Sequence, residues 1–250
     1  MRAHTDAARD GLARAITFLT IVPVPLGADG GLSGAAVWFP LVGGAVGALA
    51  GGVRVLFASS LGTTVATVLA MIVLVIVTGA LHQDGLADTA DGLGARGDVG
   101  RRLEVMRDSS TGVFGSLALI AWALLLLTTV AALDDDHALR ALIVACALAR
   151  WAALAHAASA PAARTDGLGA ALHVGRLPLA VATVVSAVAA IAICGLGPGA
   201  AAIGASVVVA ALSVVFARRR LGGRTGDTLG ATITVAEVIV CVALLAVWRS

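Results

Sequence analysis

The chain has 250 residues, 59% hydrophobic and only 13% charged, with a formal net charge of +2. Soluble domains run about 45–50% apolar and about 25% charged, so this balance excludes an ordinary soluble domain, and no nucleic-acid partner is expected. Apolar runs of about 18 or more residues read as membrane-spanning helices, because a hydrocarbon core of roughly 30 Å takes about 20 residues at helical rise.

From the N-terminus, Arg2 to Arg14 precede the short apolar stretch AITFLTIVPVPLGA. Asp6 and Asp10 in the charged part, and Pro23 and Pro25 in the apolar part, argue against a signal peptide. Residues 1–30 therefore read as an amphipathic segment lying on the cytoplasmic surface. Spans are predicted at 34–53, 61–81, 113–133, 138–160, 178–197, 200–217 and 230–248. Gly43, Gly44, Gly47, Gly51 and Gly52 loosen the first, and Arg140, Arg150 and His156 mark the fourth. The expected fold is all-α, a single polytopic integral membrane domain over residues 1–250 with about seven transmembrane helices.

Seven crossings place the N-terminus and the polar segments 82–112, 161–177 and 218–229 on one face, together with most of the arginines. The other face receives only Arg54, Arg140 and Arg249, beside Asp134, Asp135 and Asp136. The arginine-rich face is cytoplasmic by the positive-inside rule. Cys146, Cys194 and Cys241 sit inside apolar spans without zinc or disulfide spacing and read as small packing residues.

The first polar segment opens HQDGLADTADGLGARGD. Asp84 and Asp88 are spaced i, i+4, and Asp88 and Asp91 i, i+3, so a helix would project all three from one face. Unit charges about 6 Å apart repel by roughly 3 kcal/mol at an effective dielectric near 20, so the stripe needs a counterion. An all-oxygen donor set suits Mg²⁺ or Mn²⁺; zinc would call for sulfur or imidazole. The alternative is that these acids cap helices or pair with Arg101, Arg102 and Arg107 in a solvated loop. Gly85 and Gly92 would allow a ligand to approach the backbone closely, and His82 is a candidate base.

Downstream, RRLEVMRDSSTGVFG sets Glu104 and Asp108 at i, i+4, interleaved with Arg101 and Arg107. Carboxylates for metal and guanidinium forks for phosphate thus share one stretch, with Ser109, Ser110 and Thr111 as hydroxyl donors. A charged interfacial helix laced with ion pairs is the rival reading. The segment 161–177 offers Asp166, His173 and Arg176 as weaker contributors. In RRRLGGRTGDTLGA, Gly223 and Gly226 supply the glycine density of a backbone anion cradle, with Arg224, Thr225 and Asp227 beside them. Arg218 to Arg220 suit lipid headgroups. Glu237, inside the last span, is either functional or a structural partner of Arg150.

GALHQDGLADTADGL, LEVMRDSSTGVFG and LGGRTGDTLGA followed by Glu237, preceded by FLTIVPVP and WFPLVGGAVG, together resemble the adenosylcobinamide-GDP ribazoletransferase (cobalamin synthase) family over about residues 14 to 237. The resemblance implies a multi-pass enzyme of the bacterial inner membrane with a cytoplasmic active site, completing the nucleotide loop of adenosylcobalamin. A hydroxyl of alpha-ribazole, or of its 5'-phosphate, would attack the cobinamide-linked phosphorus of adenosylcobinamide-GDP, releasing GMP, with Mg²⁺ required and Mn²⁺ a substitute. On that reading Asp84, Asp88, Asp91 and Asp227 hold metal, with Glu104 and Asp108 in support. Arg101, Arg107 and Arg224 grip phosphate, joined by Ser109, Gly223, Thr225, Gly226 and Glu237, and His82 or an aspartate takes the hydroxyl proton. Membrane lipid, a second copy of the chain and other late cobalamin-assembly enzymes are the expected partners. The departures are Arg107 where lysine is common, Gln83 where an aliphatic residue is common, and SST at 109–111.

Two other classes fit less well. DTADGLGAR matches the first half of the CDP-alcohol phosphotransferase signature, but the second half needs glycine at 105 and aspartates at 109 and 113, where Val105, Ser109 and Val113 stand. A prenyltransferase would carry a second aspartate-rich motif. A secondary transporter would place its acids at the midplane of an inverted repeat, and no such repeat is evident.

Overall fold

The computed structural model describes residues 2–26 and 34–249, so residues 27–30 of the predicted interfacial segment lie outside the described residues. The described residues form eleven α-helices: α1 (Arg2–Leu19), α2 (Phe39–Leu61), α3 (Thr63–Val77), α4 (Leu81–Gly94), α5 (Val99–Val105), α6 (Val113–Ala131), α7 (Asp135–Ser159), α8 (Leu168–Ala171), α9 (Arg176–Cys194), α10 (Leu196–Leu221) and α11 (Gly226–Arg249). Six of them, α2 with its leading 3₁₀ turn and α6, α7, α9, α10 and α11, are long and apolar enough to cross a membrane, and the count reaches seven if α3 and α4 form one broken span. The chain is a multi-pass membrane protein.

The predicted span 61–81 is cut short. The helix ends at Val77, and the chain turns by 88° into α4. Gly79 (φ +61°) and Ala80 (φ +58°) are both left-handed, and two such residues in succession break the right-handed hydrogen-bond ladder. Thr78 closes the old helix by donating its hydroxyl to the Leu74 carbonyl at 2.8 Å. Because α3 packs against α2, the turn lays α4 across the end of the bundle, where it meets α5, α6 and α11.

α7 and α11 form the centre, and α2, α9 and α10 pack around α7. α7 buries Ala138, Ala141, Ala145, Ala149, Ala152 and Ala153. Among helices in lipid, small residues of this kind let backbones approach and gain van der Waals contact. Gly43, Gly47 and Gly51 of α2 serve the same purpose instead of loosening it. A Cβ on Gly47 would collide with the Leu142 carbonyl, and one on Gly43 with that of Cys146. α6, α9 and α10 turn residues such as Leu124, Val184, Val188 and Leu212 outward.

The two ends of the bundle differ. At one, Arg54 of α2 pairs with Asp135 at 2.6 Å and donates to the Leu133 carbonyl. The other gathers the C-terminal end of α1, α4, α5, the 160–175 segment and the start of α11. Contacts stitch it together: Ile21 N to Val77 O at 2.8 Å, Arg102 to Arg220 O at 3.2 Å, and Arg224 N to Pro161 O at 2.7 Å. The three polar segments therefore share one end, as the parity of the spans predicts.

Candidate active site

α4 and α11 cross at Gly85. A Cβ there would stand 2.7 Å from the Asp227 carbonyl oxygen, so Gly85 admits a neighbouring helix, not a ligand as the sequence suggests. Gly92 likewise makes room for Met106. The crossing brings Asp227, in the first turn of α11, toward Asp84 and Asp88. α11 is started by a reciprocal cap: Thr228 N donates to the Thr225 hydroxyl at 3.2 Å and Thr225 N to the Thr228 hydroxyl at 2.9 Å. The Thr225 hydroxyl then donates to Asp227 Oδ2 at 3.2 Å.

These acids are under-neutralised. Burial, followed by the charges of Asp84, Asp227 and Asp91, raises the Asp88 carboxyl to about 7 against the partial relief of Arg164. A cleft of about 870 Å³, open mouth included, lies beside them. Its polar wall is His82, Asp84, Arg164, Asp166, Arg224, Thr225 and Asp227, and its apolar wall includes Phe18, Leu19, Phe39, Leu172, Leu229 and Ile233. His82 is 3% exposed and its Nε2 is buried without a partner. Burial, then the charge of Arg150, holds its pKa well below the usual imidazole range, so the ring is neutral.

With this geometry in view, the family profile for cobalamin-5-phosphate synthase matches residues 11–245. The chain belongs to that family. An adenosylcobinamide-GDP ribazoletransferase from Desulforamulus reducens is 39% identical over 224 residues, covering 88% of this chain and 90% of that one. The enzyme of the same name from Escherichia coli K12 is 37% identical over 240 residues, covering 92% and 97%, and that of Klebsiella pneumoniae is 39% identical over 241 residues, with the same coverage. No solved structure matches.

In this member of the cobalamin-5-phosphate synthase family, several residues expected at the site lie elsewhere. Asp91 spends both carboxylate oxygens on the start of α6, accepting from Gly112 N at 2.7 Å and Gly115 N at 2.9 Å; for this one acid the capping alternative holds. Glu104 is exposed and paired to Arg101 at 2.7 Å. Asp108 is folded onto Ser110, whose hydroxyl and N–H donate at 2.7 and 3.0 Å and hold its carboxyl below the usual range. Arg101, Asp108 and Asp91 line a separate shallow depression, and Ser109 is exposed. Arg107 stands at the rim, gripping both oxygens of Asp166 at 3.0 and 2.9 Å.

The glycine-rich segment braces the cleft wall, with Arg224, Thr225 and Gly226 also lining the cleft. The Arg224 guanidinium donates to the Gly169 carbonyl at 3.1 Å, to that of Leu172 at 2.9 Å, and to that of Ala160. All three of its nitrogens are thus spent on the 160–172 segment. Gly223 packs beneath the Pro161 carbonyl, and Gly226 beneath Gly169. Glu237 lies in the bundle interior, ion-paired with Arg150 and accepting from Cys146 Sγ at 3.6 Å. It touches no part of the cleft, so the structural alternative is the one observed. Sequence reasoning passed over Arg164, whose only signal was a basic residue in a Gly/Pro-rich loop, and gave Asp166 little weight.

Among the described residues, no three His, Cys, Asp or Glu side chains close around a single point as a metal cage. Mg²⁺ does not need such a cage, since it is usually held by one or two carboxylates and completed by water and substrate phosphates. Asp84, Asp88 and Asp227, all oxygen donors with excess negative charge, fit a cation of that habit.

Proposed function

We propose that the chain is an adenosylcobinamide-GDP ribazoletransferase of the inner membrane, joining adenosylcobinamide-GDP and alpha-ribazole, or its 5'-phosphate, with release of GMP. The observation that carries this reading is the meeting of Asp84 and Asp88 with Asp227, far apart in the sequence, beside one cleft at the arginine-rich end. Mg²⁺, or Mn²⁺ in its place, would be held by Asp84, Asp88 and Asp227, where it supplies charge stabilisation for displacement at a pyrophosphate. The arginine asymmetry supports a cytosolic position for the cleft.

The residues divide the remaining work. Phe18, Leu19, Phe39 and Leu229 give the apolar part of the bound substrates a dry surface and keep bulk water from the phosphorus. His82, neutral and with Nε2 unpaired, accepts the hydrogen bond of the attacking ribose hydroxyl and takes its proton as the new O–P bond forms. The Thr225 cap holds Asp227 at the cleft, and Arg224 fixes the 160–172 segment that forms the facing wall. Purified protein in lipid nanodiscs, given both substrates, should release GMP with Mg²⁺ and not with chelator. No GMP under either condition would reject the reading.

A further inference from the structure

The arginines around the cleft differ in what they have left to give. Arg101 is engaged with Glu104 outside it, and Arg107, at its rim, with Asp166 of its wall. Arg224 lines it, but each of its three nitrogens donates to a backbone carbonyl. Arg164 also lines it, with a side chain 16% exposed. Its Nη2 donates to the Leu103 carbonyl at 2.6 Å. Its Nη1 stands 3.8 Å from Asp227 Oδ2, within ion-pair reach but beyond a hydrogen bond. Its Nε is buried without any partner. A guanidinium has five N–H donors in a planar fork, and most of those of Arg164 are uncommitted.

We infer that Arg164 grips the pyrophosphate of the substrate, and that before substrate binds the same guanidinium serves as counter-cation to Asp227 and Asp88. This rests on the reading of the cleft as a pyrophosphate-handling site. The fork geometry suits a phosphate bidentately, while the long approach to Asp227 is a charge contact without directional commitment. With a divalent cation held by the carboxylates, Arg164 would be repelled from them and would turn its donors to phosphate oxygens. Arg164 therefore opposes the bare cation and favours the nucleotide. The Leu103 contact keeps its base anchored on α5 through the exchange.

Arg164→Gln separates these effects, with Arg164→Lys as a charge-retaining control that also serves if the glutamine variant does not fold. Mn²⁺ binding, read by electron paramagnetic resonance on nanodisc protein without nucleotide, should tighten several-fold in Arg164→Gln and stay near wild type in Arg164→Lys. GDP binding by equilibrium dialysis should weaken about ten-fold or more in Arg164→Gln, with a matching rise in KM for adenosylcobinamide-GDP and a smaller change in kcat. Unchanged GDP affinity and KM, or Mn²⁺ binding no tighter than in wild type, would overturn the inference. Failure of the wild-type protein to release GMP would reject the functional reading instead, and the Mn²⁺ and GDP measurements would still judge Arg164.

Discussion

Among the described residues, two of the places that bring acids and arginines together are built to opposite ends. In the bundle interior, Glu237 meets Arg150 one to one, both all but fully buried, with Cys146 donating to the same carboxylate. At the cleft, Asp88 and Asp227 share Arg164 as their counter-charge, with Asp84 beside them, and burial first and the neighbouring acids second raise Asp88 to about 7. The first is a closed account of charge that joins α7 to α11. The second is left in deficit. What separates a binding site from a brace here is imbalance of charge, since burial and ionisable residues occur in both.

The sharpest way to break this comparison is to remove one partner at each place. Glu237→Gln leaves Arg150 buried and unpaired, which should cost about 3–5 kcal/mol of stability, seen as earlier thermal unfolding in nanodiscs, while molecules still folded keep wild-type KM values. A large KM change there would mean that the interior pair belongs to the site. Asp88→Asn should do the reverse, lowering GMP release by a factor on the order of 10²–10³, the range seen when one charge-stabilising group is removed, with unfolding no earlier than wild type. Full activity in that variant would strip the cleft of its acidic role.

Asp91 sharpens the comparison from within α4. Because both of its oxygens cap α6, Asp91→Ala should cost about 1 kcal/mol and leave the Mg²⁺ concentration for half-maximal GMP release unchanged; a strong rise would return Asp91 to the metal set. A further expected effect is a pH dependence. Between the ordinary carboxylate value and about 7, folded Asp88 holds a proton that the unfolded chain has lost. Stability of the metal-free protein should therefore fall as pH rises through that window. Thermal melts across it should show the slope in wild type and lose it in Asp88→Asn; an equal slope in both would assign the titration to another group.

The spans were legible because apolar runs of this length have few other solutions, and the helical stripe of Asp84, Asp88 and Asp91 could be read from spacing alone. The fate of Asp91 could not, since its partners Gly112 and Gly115 lie beyond the next helix. The end of α3 was hidden for a different reason: LVIVTGAL is continuously apolar, and hydropathy does not register a pair of left-handed residues. Arg164 and Arg224 look alike in sequence, each an arginine in a polar connecting segment. Only the carbonyls of Ala160, Gly169 and Leu172 distinguish the spent guanidinium from the available one.

The 160–172 segment is fastened unequally along its two edges. On the side of α11 it is pinned by the buried Arg224, out of reach of dissolved ions. On the side of α5 it is held by the hydrogen bond from Arg164 to the Leu103 carbonyl at 2.6 Å and by the Arg107–Asp166 pair, whose side chains are 57% and 69% exposed; an exposed pair is worth about 0–1 kcal/mol and is weakened by salt. Raised ionic strength therefore loosens the outer Arg107–Asp166 tie first, while the carbonyl contacts of Arg224 keep the inner edge in place.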